Sequence, residues 1–583
     1  MNKLNSVSAA LRSTAAIKAM LVLGSAALPA LASAQVAPGT LPSREQVQPQ
    51  VPETAPPPLQ VRVDGRKAFR ETPCAFETAT NPVTIDRLRF TGNGGAVLPP
   101  EILSLLAGIE GTGGQQPLSA VCDIRDRANA ALRDAGYIAS VQIPPQEITG
   151  NELALVVITA KLVDVRVAGK PGRYADLVAA RAERLKGIDP FNQHEAERLL
   201  LVAGDVPGLD VQLSLSPAGT VPGEVVGTLT VAYSPYALIG NVQNYGSRSI
   251  GRETAYLRAE AYGLTGMADS TYVGLSTTLD TDEQQVFQLG HSFGVDPDGT
   301  RVEGSFTYAW SQPDVGILDV RSRSLVGTLA VSHPLVRTGL RNFNLSGGLD
   351  FVEQRTRFFG LPLTRDKLRI AFLRLDGNLV EPDEGYGYAL SGGIELRRGL
   401  DIFNATERYE EAPEGWTPSR IFGDPTATVL RLDLDSQVKL NSIFTVSNSV
   451  RAQYASQPLL NYEEFSVGSL SIGRGYDPGA NGGDSAIGTR SELRAAAYRT
   501  TNVAAEVFGF VDNAWIWNKD RITTEKERQL GSIGFGTRVS LPGNLFLEAM
   551  YAHPMDRALS TDAKRAPDRF LVSLTAQFAP RAR

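Results

Sequence analysis

From about residue 236 onward, apolar and polar side chains alternate in segments of about ten residues, and this pattern restricts the fold more than any other feature. Between Arg301 and Trp310, Val302, Phe306, Tyr308 and Trp310 share one face, with Arg301, Glu303, Ser305 and Thr307 on the other. Asn342 to Phe351 sets Phe343, Leu345, Leu349 and Phe351 against Asn342, Asn344, Ser346 and Asp350. Thr428 to Leu440 sets Leu430, Leu432 and Leu434 against Arg431, Asp433, Asp435, Gln437 and Lys439. A soluble sandwich also alternates, with its apolar side in a core, but its strands average about 5–6 residues. About ten is the length a tilted strand needs to cross a bilayer. The polar faces carry charges of both signs, as a water-filled lumen would. At about 22 residues per strand and loop, the chain from 236 on accommodates about 16 strands. The expected fold is mainly β, a 16-stranded antiparallel transmembrane β-barrel over residues 234–583.

The N-terminus predicts export. Lys3, Arg12 and Lys18 precede a mostly apolar stretch from Ala19 to Leu31, too short to span a bilayer. Ala32-Ser33-Ala34 is a small-residue cleavage site, so residues 1–34 read as a signal peptide and the mature chain begins at Gln35. No later stretch reaches the roughly 18–20 uninterrupted apolar residues of a spanning helix, so a membrane-embedded body has to be a barrel. The only cysteines are Cys74 and Cys122. In an oxidising compartment a disulfide is the default for such a pair, the alternative being two buried thiols.

Residues 35–73 are rich in Pro and Gln, with Pro49, Pro52 and Pro56 to Pro58, and suit an extended linker. Within it, the residues allow a helix of one or two turns starting at Ser43 and stopped by Pro49 and Pro52, the segment to which the resemblance named below gives the role of a plug. Residues 74–160 alternate strands and helices. A strand over Val83 to Phe90 is closed by Gly92-Asn93, and a helix runs from Pro99 to Ala107. A second helix is N-capped by Ser119, with the apolar face Val121, Ile124, Ala128, Leu132 and Ala135. Strands follow over Val141 to Ile148 and Leu153 to Thr159. Residues 161–233 repeat this β-α-α-β-β order: a strand from Leu162, a helix over Tyr174 to Leu185, a helix capped by Asn192, and strands around Leu209 to Leu215 and Gly227 to Tyr233.

Inside the barrel region, Phe465 to Tyr476 is a Gly-rich stretch carrying one Arg and one Tyr, followed by Gly483-Asp484, Gly488 and Glu492. Such a tip can stay on the surface as an ordinary loop. It can also fold back into a polar lumen, where a guanidinium with five donors in a rigid fork docks on a carboxylate.

The whole mature chain resembles the two-partner secretion transporters of Gram-negative outer membranes, the hemolysin secretion/activation proteins, members of the POTRA-plus-barrel superfamily. The resemblance rests on motifs in order. Cys74, Gly92-Asn93, Cys122, Gly136-Tyr137, Val141, Pro145-Gln146 and Gly150 to Leu153 match the first POTRA domain. Asn244 to Ser247 with Gly251 match the start of the barrel. Arg474-Gly475-Tyr476 match an inward loop, Phe510-Val511-Asp512 the strand facing it, and a late Gly-x-Arg strand and Tyr551 to Pro554 complete the set. The resemblance implies two POTRA domains, 74–160 and 161–233, ahead of the barrel, and a loop in which Arg474 docks on Asp512. It implies that Phe578 resembles the terminal aromatic read by the barrel-assembly machinery, although five residues follow it. Gly473 stands where a β-branched residue is usual, which implies a looser loop tip.

The implied function is an outer-membrane pore with its POTRA domains in the periplasm. It would recognise the N-terminal secretion domain of a large, unfolded, β-rich partner (an adhesin, hemolysin or toxin) and export it, embedded in outer-membrane lipid. The rivals are an insertion factor for outer-membrane barrel proteins and a passive porin. No catalytic residues, metal or cofactor are expected. His194, His291, His333 and His553 are scattered, and Gly531 to Gly536 lacks the βαβ unit of a dinucleotide loop. A net charge of -6 gives no footprint for nucleic acid.

Overall fold

The computed structural model describes residues 42–49, 63–65, 67–69, 73–219, 221–381, 387–408 and 415–580. The signal peptide read at 1–34, and Pro52 and Pro56 to Pro58 of the linker, lie outside the described residues. Before the barrel come α1 (Arg44–Val47) and β1 (Val63–Asp64). The first N-terminal unit holds β2 (Pro82–Thr84), β3 (Arg87–Gly92), α2 (Pro100–Leu106), β4 (Gln115–Pro117), α3 (Ala120–Asp134), β5 (Ala139–Gln142) and β6 (Glu152–Thr159). The second holds β7 (Lys161–Gly169), α4 (Ala175–Lys186), α5 (Gln193–Gly204), β8 (Leu209–Pro217) and β9 (Glu224–Tyr233).

Both units share one topology. In each sheet the last strand lies in the middle, parallel to the first and antiparallel to its predecessor: β3-β6-β5 and β7-β9-β8. The apolar helix faces close each sheet, with Ile102, Ile124, Ala128 and Leu132 over Leu153, Leu155 and Val157 in the first unit. A Cys74–Cys122 disulfide, Cα–Cα 6.0 Å, ties the start of that unit to α3.

Several local expectations change. Val83 pairs with Gln116 in the small β2–β4 ribbon, separate from β3. The strand expected to reach Ile148 ends at Gln142, because Pro144 and Pro145 cannot donate to a ladder. Ser119 makes no side-chain cap, since it is already helical, whereas Asn192 Oδ1 accepts from His194 N (2.9 Å) and Glu195 N (3.3 Å).

The barrel closes through β10 (Tyr236–Gln243), β11 (Thr254–Tyr262), β12 (Ser270–Thr278), β13 (Gln284–Gly294), β14 (Arg301–Ser311), β15 (Val320–Arg337), β16 (Arg341–Phe358) and β17 (Leu361–Glu381). It continues with β18 (Tyr388–Gly399), β19 (Thr428–Lys439), β20 (Phe444–Ala455), β23 (Ser485–Arg499), β24 (Ala504–Trp517), β25 (Glu527–Leu541), β26 (Leu545–Pro554) and β27 (Arg569–Phe578). Two short strands, β21 (Phe465–Val467) and β22 (Asn481–Gly483), stand apart as a pair. Closure leaves no edge, so lipid meets no unpaired strand backbone. Phe306 and Trp310 point outward while Thr307, Ala309 and Ser311 are buried inward, as alternation requires. The strands exceed the expected ten residues on one side: β17 has 21 residues, about 70 Å at ~3.4 Å each, and projects well beyond a hydrocarbon core. First and last strands pair from Leu238↔Phe578 to Gln243↔Ser573. Asn244 fastens this seam, donating to Phe570 O (2.9 Å) and accepting from Val572 N (2.7 Å).

The second unit docks on the near-end turns. Arg337 Nε and Nη2 donate to the two oxygens of Asp205 (2.7 and 2.5 Å), Tyr233 OH donates to Tyr262 O (2.8 Å), and Arg184 pairs with Asp298 (3.2 Å).

Candidate functional site: two inserts in the barrel lumen

The connection between β20 and β23 folds back into the lumen. Its stem is β21 paired with β22, register Phe465↔Gly483 to Val467↔Asn481. At the tip the chain reverses at Gly473, φ +108°, a left-handed value that a β-branched residue would adopt only under strain. The glycine that departs from the family pattern is therefore what this turn requires. The tip is not loose: Arg474 is 3% exposed and Tyr476 0%. Gly475 passes so close to the wall that a Cβ would lie 2.8 Å from Ser532 Cβ and 2.9 Å from Pro554 N.

Arg474 uses its whole fork. Its backbone N and Nε donate to Asp512 Oδ2 (2.9 and 3.0 Å), Nη2 donates to Asp512 Oδ1 (2.7 Å), and Nη1 donates to Glu492 Oε1 (2.5 Å). Its guanidinium lies 3.5 Å from the centroid of the Phe510 ring. Tyr476 OH donates to Gly531 O (2.8 Å) and accepts from Asp556 N (3.1 Å). The structure thus brings Arg474, Phe510 and Asp512 together, and seats Gly475 and Tyr476 on the neighbouring wall. Phe578 is elsewhere, exposed at the near end of the seam beside Tyr236.

Sequence reasoning missed the charges around this contact. Glu492 is gripped from its other side by Arg538 (2.9 and 3.1 Å) and Arg494 (2.8 Å), and Arg490 lies 3.7 Å from Asp512. Arg569, 2% exposed, donates to Ser469 Oγ (3.0 Å), Gly246 O (2.9 Å) and Tyr476 O, tying the last strand, the start of the barrel and the loop tip. The available signal was alternation: Arg490, Glu492 and Arg494 occupy every second position of one strand, which aims all three at the lumen.

The base of the loop is fixed as well. Glu463 accepts from Arg397 Nε and Nη2 (3.0 and 3.1 Å) and from Arg431 Nη2 (3.1 Å). Asp484, fully buried, accepts from Arg420 Nη1 (2.5 Å), Leu459 N (2.7 Å) and Lys519 N (2.6 Å). Burial pushes the adjoining Glu464 carboxyl up to about 7, against the pull of Arg420 and with help from Asp484 and Asp520.

The second insert is α1, a single turn where one or two were expected. Gln46 Oε1 accepts from Ser43 N (3.0 Å), and Pro49 follows directly after the turn. Tyr462 OH donates to Gln48 Oε1 (2.7 Å), Gln288 Nε2 to Pro49 O (3.2 Å) and Gln46 Nε2 to Ser247 Oγ (3.4 Å). Val47 is fully buried against Val286, Val326, Val352, Leu368, Leu460 and Tyr462. Val286, Val326, Val352 and Leu368 belong to the wall and face inward although apolar, an exception to a wholly polar lumen. Beside α1 a cavity of about 1510 Å³ remains, lined by Arg374, Asp433, Arg451, Arg494, Glu506 and Arg538 among others.

Comparison with known proteins matches residues 228–539, more than half of the chain, to the family described as haemolysin secretion/activation protein ShlB/FhaC/HecB. The heme/hemopexin transporter protein HuxB of Haemophilus influenzae (strain 86-028NP) is 22% identical over 471 residues, 78% of this chain and 80% of HuxB. Among solved structures, CdiB from Escherichia coli superposes with a TM-score of 0.65 at 18% identity, covering 88% of this chain and 94% of that one. CdiB from Acinetobacter baumannii gives 0.58 at 16% identity, covering 92% and 95%. Both share the fold.

Proposed function

The chain belongs to the haemolysin secretion/activation family, and is a two-partner secretion pore of the Gram-negative outer membrane; from that footing we propose how it handles the partner it secretes. The units at 74–160 and 161–233 act as periplasmic receptors for the N-terminal secretion domain of one large, unfolded, β-rich protein. Residues 234–583 form the conduit, with no catalytic step and no cofactor. The Arg474 loop, held on Asp512, Glu492 and the Phe510 ring, is the fixed part of the lumen, and α1 is the part that leaves. The observation that carries this reading is the double occupation of the lumen, one insert locked by buried ion pairs and the other resting on a small apolar patch. Phe578, at the outer face of the seam, is the terminal aromatic offered to the barrel-assembly machinery, and the outward apolar belt meets outer-membrane lipid.

The test is deletion of residues 161–233. Export of the partner should stop while the barrel still assembles, judged by heat-modifiable migration. Normal export from the deleted protein would overturn the receptor role, and insertion of other barrels, or export-free conductance alone, would favour the rival functions of insertion factor or porin.

A further inference from the structure

One strand lies outside both repeats and outside the barrel. β1 pairs parallel with the outer edge of β8, register Val63↔Leu213 and Asp64↔Ser214, extending the second unit's sheet to β1-β8-β9-β7. Val63 is 1% exposed and enters the core of that unit with Leu213, Leu215 and Leu229. The chain turns directly afterwards, with Ala68 N donating to Gly65 O (3.0 Å), and Ala68 is also buried in the same core. The linker therefore behaves as an added strand, with one aliphatic side chain in a socket and backbone pairing along an edge.

The same linker carries α1. Pro49 accepts from the wall residue Gln288 inside the barrel, and Val63 sits in the second unit, so the two ends share a tether of at most about 50 Å. β8 runs nine residues, Leu209–Pro217, whereas β1 offers two. A longer strand with an aliphatic residue at the Val63 position would form more pairings on the same edge. Such strand addition reads the backbone and tolerates many sequences, which suits a β-rich unfolded client.

We infer that β1 is a cis-acting occupant of the client-strand site on β8, and that its displacement by an extended strand of the secreted partner gives the linker the slack with which α1 leaves the lumen. This deepens the secretion reading above and rests on it. Because the cis strand is tethered, it competes at high effective concentration and sets a threshold that stray peptides do not reach.

The experiment uses full-length protein in planar bilayers, where opening is read without any partner, together with export in cells. The pair Asp64→Cys with Ser214→Cys, oxidised, fixes β1 in place. It should suppress channel opening several-fold and stop export, both restored by reductant, while each single-cysteine variant under the same reductant behaves as wild type. A synthetic peptide of residues 61–69, added to the wild-type channel, should raise the open fraction several-fold, with no effect on the oxidised pair or from a scrambled peptide. An oxidised pair that opens and exports as wild type does, or a wild-type channel indifferent to the peptide, overturns the inference. Loss of secretion as a function would appear differently, as wild-type protein that fails to export while its channel still responds to the peptide.

Discussion

The two inserts in the lumen are held by opposite means. The loop between β20 and β23 is anchored covalently at both ends and by buried ion pairs at Glu463, Arg474 and Asp484, each with several partners. Every guanidinium nitrogen of Arg474 has an acceptor. The α1 segment is held by Val47, a few neutral hydrogen bonds and the pairing of its own Arg44 with Glu45 (3.3 Å), and among the described residues Arg44 Nη1 and Glu45 Oε2 are buried without a hydrogen-bond partner. A buried ion pair resists removal because either half alone is left as an uncompensated charge. The α1 turn carries its cation and anion as a pair that leaves together, and water can replace its remaining bonds. On the proposed reading, the difference separates a part that stays from a part that moves, within one cavity.

Arg474→Ala is the strongest way to break the comparison. It should cost about 3–5 kcal/mol at the loop, because Asp512 stays buried with only Arg490 and the backbone N–H of residue 474 beside it, and export should fall with barrel insertion intact. Asp512→Ala should do less, since Glu492 still holds Arg474, and the double variant should fall short of the sum. An additive double-mutant cycle in export would show that the contact does not act as a unit.

Val47→Asp addresses the other insert. Losing the burial of one valine costs about 1.5–3 kcal/mol, and the cost should fall on the plugged state alone. Bilayer conductance should rise while the thermal midpoint of the barrel stays unchanged. A lowered midpoint would mean that α1 is structural, like the loop.

Tyr462→Phe removes one hydrogen bond to Gln48, about 0.5–1.5 kcal/mol, so openings should become modestly more frequent with single-channel amplitude unchanged. Because Tyr462 belongs to the loop yet touches α1, an export defect as deep as that of Arg474→Ala would erase the distinction between the inserts.

The smallest effect is expected from Glu464→Gln. The folded-state carboxyl titrates near about 7, above its ordinary 4.5. Its stability contribution is full below about 4.5 and lost as pH rises through about 7. The variant should therefore match wild type at pH 5 and exceed it slightly at pH 8 in thermal midpoint. Equal midpoints at both would show that this carboxyl does not titrate in that window.

Much of the architecture was legible because it is local. Trp310 and Thr307 take opposite faces from their positions alone, and Asn192 announces α5 through a cap that needs only its next three residues. Where a neighbour in space intervenes, local reading fails. Val352 and Leu368 face the lumen, against the polar rule, because α1 and Leu460 cover them. The expected looseness at Gly473 ignored the wall that packs Gly475 and Tyr476. Arg474 and Asp512 were paired through resemblance and a shared polar face, whereas Glu492, in plain view on a strand aimed at the lumen, was not identified as the second partner.

By itself the sequence determined the alternating, barrel-length character of the region from about 236 onward, the twice-repeated β-α-α-β-β order and the presence of an Arg-bearing glycine loop, because period, caps and turn residues act within a few positions of chain. Only the tertiary structure decided which charges meet. Arg569 reaches Ser469 and Gly246, and Arg420 reaches Asp484, across long separations in the chain. It also decided that Val63 pairs with Leu213 while Val47 sits in the lumen. Such meetings depend on the register in which the sheet closes, and one strand carries no record of the register of the strand across the barrel.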